Sequence, residues 1–153
     1  MKQVSFNELI AEAARQIEAG AFLLTGGSEP NPMTIGWCQW GVIWVKPVCA
    51  VFVRKSRHSY ELIRSGAFTV SVPAPGSMKK ELAYCGTKSG RDVNKAQELG
   101  LHFSPLGEGL VPALDGCALH FACKTLFHVE FDAQKMLTDM DAGIRARYYG
   151  QNQ

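Results

Sequence analysis

Residues 21–72 read AFLLTGGSEPNPMTIGWCQWGVIWVKPVCAVFVRKSRHSYELIRSGAFTVSV, and this stretch decides the fold. The short β-branched and aromatic runs FLLT, MTIGWCQW, VIW, VCAVFV and FTVSV are separated by GGSEPNP, KP and RKSRHSYELIRSG. Such runs, bounded by Gly, Pro, Asn and Ser, read as strands and turns. Only SYELIRSG is long enough for one or two helical turns. Without regular helices between consecutive strands, a doubly wound parallel sheet is disfavoured. The expected class is mainly β, an antiparallel barrel with a few helices at its ends.

Working outward, Ser5 followed by Glu8 forms a capping box, and Leu9, Ile10, Ala13, Ala14 and Ile17 mark one face of a helix that stops at Gly20. Downstream, PAPGSMKKELAYCG and RDVNKAQELG predict short helices with stops at Gly86 and Gly100, the second capped by Asp92. Residues 117–131 alternate cleanly. Cys117, Leu119, Phe121, Cys123, Thr125, Phe127, Val129 and Phe131 take one face, and His120, Lys124, His128 and Glu130 fall on the wet one. No repeat or low-complexity linker divides the chain, so residues 1–153 are expected to form a single domain.

The composition agrees with a globular domain: 46% hydrophobic residues, 20% charged and a formal net charge of +2 across 153 residues. That charge is too small to make nucleic acid or anionic lipid the default partner. The longest apolar stretch, 42–53, is broken by Lys46 and Pro47 and is too short to span a bilayer, so no membrane partner is expected. The N-terminus has acidic residues and no apolar signal core. Five cysteines, an odd number with no C-x-x-C, point to reduced thiols and a cytoplasmic location.

Several chemistries lose ground at once. His120 and His128 share a strand face but lie eight residues apart, about 26 Å along an extended strand, too far to share one ion. No H-E-x-x-H, EF-hand or paired C-x-x-C occurs, so no metal is expected. G-x-S-x-G and Walker A are also missing, and Gly26-Gly27 opens a Pro-rich turn where a dinucleotide fingerprint would open a helix.

Three segments remain. Residues 54–60, RKSRHSY, place three fixed cations and several hydroxyls between a strand and a helix start, a phosphate cradle or a solvated turn. Residues 85–92, CGTKSGRD, with Lys95 a turn later, combine two glycines, two hydroxyls and exposed amides, suited to an anion or a polar ring edge. They suit a pair of helix caps equally well. In 31–38, NPMTIGWC, Gly36 between Thr34 and Trp37 makes a strand surface on which a flat ligand can lie. Trp40 and Trp44 read as core or dimer-interface aromatics.

In order, NPMTIGWCQWG, KPVCAVFVRKSRHSYELI, FTVSVPAP and CGTKSGRDVNK resemble the flavin reductase-like, FMN-binding split-barrel family, closest to its flavoredoxin-like members. The resemblance implies a six-stranded Greek-key split barrel, a homodimer and one FMN per subunit near the interface. It implies that Met33, Thr34, Ile35, Gly36 and Trp37 line the isoalloxazine, with Thr34 near flavin N5. Arg54, Lys55 and Ser56 would reach the phosphate with Tyr60 in support, and Cys85, Gly86, Thr87, Ser89 and Lys95 would form the second polar loop. Two departures stand out: His58 replaces a frequent Tyr, and the sequence stops before a strand with which relatives pair back onto the barrel.

The activity implied is that of an NAD(P)H-dependent flavin reductase, with hydride passing to flavin N5 and no side-chain nucleophile. A flavoredoxin-like electron carrier, served by a protein partner and not a pyridine nucleotide, is the alternative. A member that keeps the fold without the flavin is a third.

Overall fold

The computed structural model describes residues 1–107, 110–130 and 142–149. In chain order these form α1 (Ile10–Gln16), β1 (Ala21–Thr25), β2 (Asn31–Ile35), β3 (Cys38–Ile43), β4 (Lys46–Val51) and α2 (Ser59–Leu62). A 3-10 turn (Ile63–Ser65) leads to β5 (Ala67–Pro73), α3 (Lys79–Thr87) and α4 (Lys95–Leu99). Two short strands, β6 (Phe103–Ser104) and β7 (Ala113–Leu114), precede β8 (Cys117–Lys124) and α5 (Ala142–Tyr149). Every ladder is antiparallel: a four-stranded sheet in the order β2-β1-β5-β8, the β3–β4 hairpin, and the β6–β7 pair.

β1 is apolar without alternation because it is covered on both faces, and all five of its residues are buried. Ala21 and Leu23 join Met33, Ile35, Phe68, Val70, Val72 and Ala13 in one core layer, closed by the β3–β4 hairpin. Phe22 and Leu24 face the other layer with Leu82, Cys85, Val111 and Leu114. β5 alternates between these layers, and its polar positions do structural work. Thr69 donates its hydroxyl to the Val111 carbonyl at 2.5 Å, and Ser71 accepts the Leu114 amide at 3.2 Å. Two buried hydroxyls thus fasten the 111–114 segment to the sheet.

Several expectations are corrected. Glu8 takes the Ser5 amide at 3.0 Å, but the helix begins only at Ile10, with no side-chain cap at Leu9. MTIGWCQW is two strands, since β2 ends at Ile35 and β3 starts at Cys38. Lys46-Pro47 does not break the next pair. Pro47 sits at the start of β4, where its missing N–H is tolerated, and the turn falls earlier, at Trp44 and Val45. Both take left-handed angles (φ 52° and 58°), the arrangement a two-residue hairpin requires and a β-branched residue resists.

Asn94, and not Asp92, caps α4: its Oδ1 accepts the Gln97 amide, and left-handed Gly100 ends the helix. The second face of β8 is exposed at Ala118, Ala122 and Lys124 as expected, but His120 on it is half-buried, its Nδ1 lying 3.0 Å from Ser71 Oγ. The strand expected over 117–131 ends at Lys124. Phe127 and Val129 are exposed, and Phe131 lies outside the described residues.

Candidate functional site

The loop from β4 to α2 and the end of α3 come together at the edge of β2, and Arg57 joins them. Its Nη1 donates to the Gly86 carbonyl at 2.8 Å, its Nη2 to the Cys85 carbonyl at 3.2 Å, and its Nε to Met33 Sδ at 3.3 Å. A planar guanidinium is the side chain able to hold three such partners at once. Nearby, Asn31 Nδ2 donates to Ser59 Oγ at 2.9 Å, and Arg91 Nη1 donates to the Ser56 carbonyl at 3.1 Å. The approach at Gly90 is tight enough to demand glycine: a Cβ there would collide with the Asn31 amide and press on His58.

Lys95, the first residue of α4, is only 3% exposed. Burial, then the charge of Arg57 acting against that of Cys85, brings its ammonium down to about 8. Among the described residues it forms no hydrogen bond or ion pair. Burial pushes the neighbouring Cys85 thiol up to about 11, partly offset by Lys95. Lys95 borders an open groove of about 880 Å³, together with Asn31, His58, Gly90, Arg91 and Asn94. The groove mixes these polar side chains with apolar ones such as Leu62, Leu101 and Phe103, with the buried Lys95 cation at its wall.

The expected site residues separate accordingly. Met33, Cys85, Gly86 and Lys95 are gathered around Arg57. Arg54, Lys55 and Ser56 lie on the same loop but are exposed. Lys55 Nζ pairs with Glu130 Oε2 at 2.6 Å and Tyr60 donates to Glu130 Oε1 at 2.7 Å, so both are held by a carboxylate of this chain. That carboxylate is lowered by Lys55 and then by Tyr60.

Thr34 donates its hydroxyl to the Leu82 carbonyl at 2.6 Å. Ile35 is buried in the core, leaving its backbone for any ligand contact. Thr87 bonds back to the Ala83 and Tyr84 carbonyls of its own helix, and Ser89 accepts the Arg91 amide. Gly36 and Trp37 turn the chain from β2 into β3, and the Trp37 carbonyl accepts the Phe52 amide at 3.2 Å.

Arg57, Asn31 and Arg91 were absent from the expected set although each lies in a segment picked out above. The sequence signal for Arg57 was a loop of three cations, and which one turns inward depends on where α3 docks.

A family model described as the flavin reductase like domain matches residues 14–138. A curated protein of Archaeoglobus fulgidus, itself described as uncharacterized, is 28% identical over 109 residues. The match covers 71% of this chain and 60% of that protein, less than two thirds of its length. Among solved structures, flavoredoxin of Desulfovibrio vulgaris (Miyazaki F) superposes with a TM-score of 0.65 and 26% identity, covering 85% of this chain and 69% of that one. Flavoredoxin from Methanosarcina acetivorans gives a TM-score of 0.63 and 27% identity, covering 86% and 68%.

Proposed function

Because the chain belongs to the flavin reductase-like domain family, we propose that it binds flavin mononucleotide and acts as an NAD(P)H-dependent oxidoreductase of the flavin reductase type. The observation that carries this reading is Lys95, a cation 3% exposed at the wall of a groove, beside Arg57 and without an acidic partner among the described residues. An ammonium desolvated in this way is costly unless an anion meets it, and FMN offers a phosphate and a ring edge that becomes electron-rich on reduction. When bound, the flavin supplies the hydride and electron chemistry that no side chain here provides.

The chain's residues bind and orient. The Met33–Trp37 segment would flank the ring, with the Thr34 hydroxyl proton committed to the Leu82 carbonyl and its oxygen left free to accept a hydrogen bond. Cys85, Gly86, Thr87 and Ser89 border the polar edge, and Arg57 holds the first two in place. Arg54, Lys55 and Ser56 add cations and a hydroxyl on the outer side, toward the phosphate. Lys95 stabilises negative charge, and no residue acts as a nucleophile.

The same reading takes the four-stranded sheet and the β3–β4 hairpin as the six strands of a split barrel in a single cytoplasmic domain. It assigns the exposed apolar tip to a second copy of the chain: Trp44 is 69% and Val45 96% exposed, and Trp44 stacks edge-on with Phe127 at 6.0 Å. No helix among the described residues is long and apolar enough to cross a membrane.

The test is the visible spectrum of the purified protein, an FMN titration, and stopped-flow mixing of the loaded protein with NADH and NADPH. Bleaching with either nucleotide supports the reading. A colourless protein whose melting temperature ignores added FMN overturns it. Flavin bound but unbleached favours the second reading, an electron carrier, which the match to two flavoredoxins supports. A carrier reduced by light should then pass electrons to a protein partner.

A further inference from the structure

Away from the cation site, the densest group of reactive side chains lies where the β3–β4 hairpin packs on β8. Cys38 opens β3, Cys49 lies in β4 and Cys123 in β8, each half-buried at the rim of the first core layer. Cys38 Sγ and Cys49 Sγ are 3.4 Å apart, and Cys123, close to Cys49, donates its thiol to the Phe121 carbonyl at 3.6 Å. In the hairpin register Cys38 faces Val51 and Cys49 faces Trp40, so the two cysteines are diagonal neighbours on one face. A thiol is a weak donor and a weak acceptor, so hydrogen bonding alone gives little reason to bring two sulfurs this close. A disulfide bond is about 2.05 Å long, so the sulfurs must close by about 1.3 Å; diagonal positions lie near the upper limit of Cα spacing for a disulfide, so closure takes a small shift of a hairpin that, among the described residues, no ladder ties to the main sheet.

We propose that Cys38 and Cys49 form a redox-active dithiol, a site at which a hydroperoxide installs an intramolecular disulfide. Cys38, as its thiolate, attacks one peroxide oxygen. The O–O bond breaks, the alcohol or water leaves, and a sulfenic acid forms on Cys38. Cys49 then attacks that sulfur: the S–S bond forms, the S–O bond breaks, and water leaves with the Cys49 proton. Two thiols and one hydroperoxide become one disulfide, one alcohol (or water) and one water, the two electrons passing from sulfur to peroxide.

At Cys49 the contact with Cys123 lowers the thiol, but contact with Cys38 and burial outweigh it and push the thiol up. Cys49 is therefore held as a thiol and gives up its proton as it attacks the sulfenic acid, to the oxygen that leaves as water. The site does not depend on the flavin reading.

The test treats the whole protein with hydrogen peroxide, removes the peroxide, unfolds the protein in guanidinium so that buried thiols react, blocks them with iodoacetamide, and weighs it intact. Three labels in place of the five that free cysteines would take, restored to five by dithiothreitol, with a Cys38–Cys49 linked peptide in the non-reduced map, is the expected result. Five labels after treatment, single cysteines carried to sulfinic acid without a link, or a link through Cys85, Cys117 or Cys123 overturns the proposal. Cys38→Ser and Cys49→Ser should each abolish the link while Cys117→Ser keeps it. The wild-type peptide map remains decisive if a variant fails to fold.

Discussion

Two clusters of charge are built from the same loop, residues 54–60, and differ in what surrounds them. The outer one, Lys55, Tyr60 and Glu130, sits in water: the Lys55 and Glu130 side chains are 62% and 52% exposed. The inner one, Arg57 with Lys95 and the Cys85 and Gly86 carbonyls, combines a half-buried guanidinium with a buried ammonium and includes no carboxylate among the described residues. In the outer cluster the charges satisfy one another and exchange freely with solvent, so the pair is worth little. In the inner cluster Lys95 has lost water without gaining a counterion among the described residues, which under the proposed function leaves it poised for an anion. Two residues along the loop separate a surface ion pair from a half-buried guanidinium.

The comparison can be broken most directly at Arg57. Arg57→Ala should cost about 1.5–3 kcal/mol of folding stability in urea denaturation, because two carbonyls lose a charged donor, and should also weaken FMN binding. Arg57→Lys should recover little of either, since an ammonium cannot span both carbonyls and Met33 Sδ. Stability unchanged by Arg57→Ala would show that the inner cluster joins nothing.

Lys95→Met, which keeps the stem and removes the charge, should move two readouts in opposite directions. FMN affinity should fall by about 1.5–3 kcal/mol in a fluorescence titration, while the flavin-free protein should melt at a higher temperature. A lower melting temperature with unchanged affinity would make Lys95 a structural residue.

The effect of pH sharpens the same point. Folded Lys95 gives up its proton near 8, whereas in the unfolded chain it keeps it to 10.5. Between those values the unfolded state holds the extra proton, so Lys95 adds stability as pH rises from about 8 to 10.5, whereas the raised thiols, Cys85 among them, take stability away above their ordinary 9.0. FMN affinity should decline across the same window as the ammonium is lost. Denaturation of Lys95→Met over this range should lack the gain.

The smallest effect belongs to the outer cluster. Glu130→Gln and Lys55→Ala should leave the urea midpoint unmoved within error, and Lys55→Ala should weaken FMN binding far less than Lys95→Met. The reverse order of affinities would show that the outer cations contribute more to holding the anion than the buried Lys95 does.

Much of the architecture was legible because local chemistry and tertiary demand agree. FLLT, VCAVFV and FTVSV are strands by residue type and remain so in the folded chain, and SYELIRSG becomes a turn of helix and a 3-10 turn. The misplaced turn at Lys46-Pro47 shows where that agreement fails. Proline is a strong breaker in isolation, yet the register of Val42 with Pro47 forces the reversal onto Trp44 and Val45. His120 departs from its exposed neighbours Ala118 and Ala122 for a related reason: strand alternation sorts faces but does not say that Ser71, its cross-strand partner, also takes the Leu114 amide.

The site was legible as segments and not as contacts. Residues 54–60 and 85–95 were picked out by their cations and glycines, but Lys55 and Arg57 are equivalent cations in one dimension. By itself the sequence determined the strand content, the absence of parallel crossover units and the set of loops rich enough in charge and glycine to hold an anion. Residue type and spacing are local properties, and these features depend on nothing else. Only the tertiary structure decided which cation faces inward, that Lys95 is desolvated, and that Cys38 and Cys49 touch. Burial and contact depend on how α3, α4 and the hairpin dock against the sheet, bringing together residues far apart along the chain.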